Sequence, residues 1–138
     1  MTISQHIGFG KSKHITNTKT ATLVQSLLQV KHLYNWRGFK TQTFMMYGQF
    51  EPIKADADNA GMAVNTTLID EHEPFIKCHI RTIKDRSISV YSTFPFKKVP
   101  VRMIIELVSE SVFWIHAFPH HNGISITMSN CEIITGGL

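Results

Sequence analysis

Cysteine is scarce: Cys78 and Cys131 are the only two in 138 residues, and they lie far apart. No CxxC spacing occurs, which excludes a zinc site of paired cysteines and argues against a disulfide framework. Long apolar runs are absent too. No stretch of about 18 apolar residues exists, so no membrane span is expected. The opening "MTISQHIGFGKSKH" has no positive end leading into a long apolar stretch and does not read as a signal peptide. A soluble protein in a reducing, intracellular setting is the resulting expectation. Catalytic signatures are also lacking. There is no HExxH pair and no GxSxG elbow. "GFGKSK" lacks the GxxxxGK[ST] spacing of a phosphate loop and does not lead straight into a helix.

What is present is a globular composition, with 43% hydrophobic and 10% aromatic residues. A chain of 138 residues fits a single domain around one hydrophobic core. The net charge of +4 permits an anionic partner such as DNA or RNA, although charge alone does not establish one.

Periodicity divides the chain. Ile3, Ile7 and Phe9 alternate loosely and predict a strand ending at Gly8 and Gly10, with "SKHIT" a short second strand. From Thr18 the period becomes helical: Leu23, Leu27, Val30 and Tyr34 recur at i, i+4, i+7 and i+11, up to about Arg37. Gly38 stops that helix. "FKTQTFMM" predicts a buried strand, Pro52 to Asn59 a helical turn or two, and "GMAVNTT" another short strand. Thr66 to Pro74 is a polar loop. A second long helix follows, with Ile76, Ile80, Ile83 and Val90 near one face and Lys77, Arg81, Lys84 and Asp85 on another. Pro100 opens a third helix whose stripe is Val101, Ile104, Ile105, Val108, Val112 and Ile115. "MSNCEIITGG" predicts a short helical closing segment. The order is mixed α/β, and helices packed on a small sheet in three layers are the economical fold.

Two clusters are candidates for chemistry. The loop Asp70, Glu71 and His72 groups oxygen and nitrogen ligands suited to a divalent metal, against the plainer reading of a charged surface loop. Lys77, Arg81, Lys84 and Arg86 are candidates for contacts to a phosphate backbone. The plainer reading is a solvated face in which Arg81 pairs with Asp85 at i, i+4. The histidines scatter apart from His120-His121, and a histidine such as His72 or His116 is more often a hydrogen-bonded structural residue than a general base.

Several phrases, in order, resemble the integrase core domain of copia-type retrotransposon polyproteins, a member of the ribonuclease H-like fold. "RGFK" followed by a strand and "MMYGQFEP" is similar to the family's second active-site strand, where an Asp precedes a glycine. "NTTLIDEHEPFIKCHIRTIKDR" resembles the loop and helix that deliver its Glu. "VFWIHAFPHHNGISITMSNCEIITG" resembles the end of the core, where a Ser/Thr-x-x-Glu segment closes with Thr-Gly. The resemblance implies a mixed sheet flanked by helices. It also implies two Mg²⁺ ions held by two Asp and one Glu, which activate a water or a DNA 3′-hydroxyl.

This sequence departs from that pattern at the acids. The position before Gly48 is Tyr47, and a phenol is a poor Mg²⁺ ligand. The Glu position falls best on Lys77, a cation where a ligand should stand. The first Asp belongs to a strand that would precede the segment matched here, and the interval from Tyr47 to Lys77 is shorter than the family's. The resemblance therefore implies a truncated, degenerate core missing its first strand, with no catalytic residue intact and no cofactor expected. It would keep at most weak nucleic-acid binding, in the nucleus if functional. The alternatives are a protein-interaction module, for example a homodimer through the third helix, and a metal-dependent hydrolase built on Asp70, Glu71 and His72.

Overall fold

The computed structural model describes residues 1–4, 6–67, 74–121 and 123–136. The chain is mixed α/β and mostly helical, and it divides into two compact units: Ile15–Glu73, and Met1–His14 together with Pro74–Leu138. The strands pair as two separate two-stranded sheets, where one mixed sheet was expected. Among the described residues, no helix is long and apolar enough to cross a membrane.

The unit Ile15–Glu73 is a β-α-β crossover backed by a helix. Helix α1 (Thr20–Trp36) starts one turn after Asn17, whose side-chain oxygen accepts from the Lys19 N–H and the Thr22 hydroxyl. It ends where Gly38 takes φ +81° and donates to Asn35 O, a left-handed turn that glycine makes without strain. Strand β3 (Thr43–Tyr47) pairs in parallel with β4 (Ala63–Thr67), from Thr43 opposite Ala63 to Tyr47 opposite Thr67. Parallel neighbours need a crossover. It is supplied by a 3₁₀ turn over Gly48–Ile53 and helix α2 (Lys54–Asn59).

Leu27, Ile53, Ala57, Met62 and Val64 form the core of this unit, with Phe44, Met46 and Phe50 packed on it. Each large aliphatic chain so buried contributes about 1.5–3 kcal/mol. The turn into β4 places Gly61 at φ +72°, and its carbonyl accepts from Lys31 Nζ at 2.7 Å, which ties α1 to the crossover.

In the other unit, the expected N-terminal strand is a hairpin: β1 (Thr2–Ile3) pairs antiparallel with β2 (Gly10–Lys11). Ser4 and Gly8 close the turn, since Ser4 O accepts from Gly8 N–H at 2.8 Å and Gly8 has φ +72°. "SKHIT" contributes no strand. The hairpin buries Ile7. Helix α3 (Pro74–Ser92) packs on α4 (Val101–His116). Two small polar residues meet where they touch: Ser87 donates to Ser111 Oγ at 3.1 Å, and the Ser111 hydroxyl donates to Leu107 O at 2.8 Å. Pro100 sits just outside α4 as its N-cap rather than at its first helical position.

Helix α5 (Asn130–Thr135) is the predicted closing segment, and the Ser-x-x-Glu spacing serves it as a capping box. Glu132 N–H donates to Ser129 Oγ at 3.1 Å, and Ser129 N–H donates to Glu132 Oε2 at 2.6 Å. These bonds from the Ser129 backbone and then its side chain hold the Glu132 carboxyl below its ordinary range. Gly136 ends the helix at φ +80°, and Ile134 is fully buried beneath it. A Ser129→Ala substitution should lower unfolding stability by about 1 kcal/mol, read as an earlier denaturant midpoint at unchanged slope.

Candidate nucleic-acid interface and a histidine cluster

Tyr47 ends β3, half-buried, at the C-terminal edge of the parallel pair where ligand sites gather in α/β sheets. The carboxylate that follows it is Glu51, in the 3₁₀ turn. That group is already engaged: it accepts the Thr66 hydroxyl and lies 3.9 Å from Lys54 Nζ. The side chains at this edge are therefore a phenol, a hydroxyl and one carboxylate shared with a lysine.

Lys77 stands in the first turn of α3 and is exposed, as are Arg81 and Lys84 at the next two steps of the same face. Arg81 Nε lies 3.8 Å from Asp85 Oδ2, the i, i+4 pair that the spacing anticipates, and both side chains are largely exposed. Such a pair is worth little and leaves Arg81 available to another anion. Arg86 does not join them. It comes about two and a half turns after Lys77, hence on the opposite side of the helix. There it lines a cleft between α3 and α4 with Val90, Leu107, Glu110, Ser111 and Trp114. The four cations named from the sequence thus divide into a face of three and one apart. Asp70, Glu71 and His72 lie outside the described residues. Among the described residues, no group of three or more His, Cys, Asp or Glu is placed to hold a metal ion.

The stripe of α4 is buried only in part. Val112 is buried, whereas Val101 and Ile104 are exposed. Phe113, Trp114 and Phe118 are exposed as well, and Trp114 stacks on Phe118 with centroids 6.2 Å apart and planes 21° from parallel.

One cluster escaped the sequence reading as a cluster. His116, in the last turn of α4, is buried, and its Nε2 accepts the Gly10 N–H of β2 at 3.0 Å. His79 of α3 stacks on it, centroids 5.1 Å and planes 28° apart, and Phe9 covers another side at 5.4 Å. The rings are held neutral. Burial, then the neighbouring His79 and His120, push His116 down to about 4, and burial followed by His120 lowers His79. This agrees with the expectation of a hydrogen-bonded structural role for His116. The signal for the pair was present: His79 falls between Ile76 and Ile83 on the buried side of α3, and His116 one turn after Val112 on α4.

No family model, curated protein or solved structure matches this chain.

Proposed function

We infer that this chain is a degenerate, ribonuclease H-like integrase core that performs no DNA strand transfer and binds nucleic acid weakly through the Lys77–Arg81–Lys84 face of α3. The observation that carries the binding reading is that face: three exposed cations at i, i+4 and i+7 on one helix, of which Arg81 is weakly paired with Asp85. Cations at that spacing track phosphates without reading bases. The degenerate-core assignment is supported by the order helix, strand, short helix, parallel strand and then long helix, which is the order of the phrases that resemble the family. It is supported equally by the residue types at the two acid positions, since Tyr47 offers a phenol and Lys77 an ammonium where Mg²⁺ would need carboxylates.

Fluorescence anisotropy with a mixed-sequence duplex tests the binding. Binding should weaken steeply with salt, with a log–log slope of roughly −2 to −3 for three phosphate contacts. Changing Lys77, Arg81 and Lys84 together to glutamate should reduce affinity at least about tenfold and flatten the slope, while Arg86→Glu alone changes little. No binding at low salt would remove this function. Self-association through α4 is the second reading, favoured by the exposed Trp114 and Phe118. Light scattering on the same preparations separates the two, since only self-association raises the mass without DNA.

A further inference from the structure

The contact between Gly10 and His116 fixes a tautomer. Because Nε2 accepts the Gly10 N–H, the proton of the neutral ring sits on Nδ1. That Nδ1 and the Nε2 of His79 are both buried with no hydrogen-bond partner. A bridging metal fits this arrangement poorly. The unprotonated nitrogen of His116 is already taken by Gly10, and its other nitrogen carries the proton that a metal would have to displace.

The ionisable neighbours arrive from the elements packed around the ring. Lys11 of β2 and Cys131 of α5 line the same cleft, of about 200 Å³. His79 faces the ring from α3, and His120 acts on both imidazoles from the α4–α5 connection. The Met1 side chain reaches the Gly10 site, and burial lowers the Met1 amino group. Among the described residues lining the cleft there is no carboxylate.

We propose that the Gly10–His116 contact is a proton-operated latch, which holds the hairpin β1–β2 on α3 and α4 while the stacked imidazoles are neutral and releases it when His116 takes up a proton. The proton goes to Nε2, the position that now accepts. Gly10 N–H then faces another N–H, and the attraction becomes a repulsion, with no carboxylate among the described residues lining the cleft to offset the new charge. The sign follows from the lowered values of both histidines. Their neutral forms contribute stability that is complete above about pH 6.5 and declines below it, and the part due to His116 is gone once the pH has fallen through about 4.

Ring-nitrogen and amide NMR on the isotope-labelled full chain, from about pH 7.5 down to about 3.5, tests the latch. At the upper end His116 should show the Nδ1–H tautomer and a contact between its ring and the Gly10 amide. That contact should disappear together with titration of the His116 ring, while the signals of α3 and α4 stay dispersed. His116→Gln supplies a carboxamide oxygen that accepts without titrating, and should keep the hairpin docked through the same range. An Nε2–H tautomer at neutral pH would overturn the proposal. So would a Gly10 contact that persists after the ring has titrated, or release with an unchanged midpoint in the Gln variant. Collapse of the α3 and α4 signals at that midpoint would overturn it too, since the whole unit would then be unfolding. Should the Gln variant not fold, the tautomer and the coincidence of the two wild-type titrations decide alone.

Discussion

Gly10→Val should cost about 3 kcal/mol of stability, or roughly 10 °C in the melting temperature. The reason is space rather than backbone conformation, since Gly10 is not among the glycines with positive φ. A Cβ built there would lie 2.9 Å from Nε2 of His116, 2.9 Å from Nε2 of His79 and 3.3 Å from the Met1 methyl. The first two atoms belong to stiff rings that are stacked on each other and anchored in α3 and α4, so neither can swing aside as a lysine tip would. The strand must retreat instead. The Gly10–His116 hydrogen bond is then lost, and the buried Ile7 loses its cover. Differential scanning calorimetry measures the loss, and chemical-shift changes should concentrate on residues 1–14 and the facing turns of α3 and α4. A change of less than about 1 kcal/mol would mean that the hairpin is not packed as described.

That site also shows where sequence reasoning stops. The helices were legible because each long one carries an apolar stripe at helical spacing: α1 begins at Thr20 and ends at Trp36, against an expectation of Thr18 to about Arg37. Gly38, Gly61 and Gly136 mark ends and turns where φ is positive, so the punctuation was legible too. The Ser129-x-x-Glu132 spacing became a working capping box, for the local reason that such a spacing satisfies two otherwise unpaired N–H groups. The N-terminal segment was not legible. Ile3, Ile7 and Phe9 read as one strand, because the reversal between them depends on a hydrogen bond from Gly8 to Ser4 and on the seat that His116 provides from more than a hundred residues away. A contact of that range leaves no periodic trace. The same holds for the separation of the strands into two sheets, which depends on which strands pair and not on where they lie in the chain.

The candidate interface was half legible, for a geometric reason. Lys77, Arg81 and Lys84 share a face by helical spacing, and the buried residues of the same stretch, Ile83 and Ser87, lie off that face. Arg86 is near them in sequence only. On a helix that nearness misleads, because two residues farther along than Lys84 turns the side chain away from the shared face and towards the Glu110 and Trp114 cleft.

Incubated with Mg²⁺ or Mn²⁺ and a duplex carrying processed ends, the chain should show no strand transfer and no nicking above background. Two-metal chemistry needs carboxylates to hold the cations close together against their mutual repulsion. Here the edge of β3 presents Tyr47 and a Glu51 already shared between Thr66 and Lys54, and the first turn of α3 presents Lys77. On the proposed integrase reading, with each missing electrostatic partner costing roughly 10²–10³ in rate, these two losses amount to about 10⁴-fold or more. Tyr47→Asp with Lys77→Glu restores charge at both positions. On the proposed integrase reading, calorimetry with Mg²⁺ should then show binding heat where the unmodified chain is expected to show none. Heat in neither protein would argue against the integrase assignment and leave the DNA-binding face to stand on its own. Metal-dependent cleavage by the unmodified chain would be the more consequential result. Its loss on changing Asp70 and Glu71 to asparagine and glutamine would move the chemistry to that acidic loop, because neutral amides keep the shape of the ligands while removing the charge that a hard cation requires.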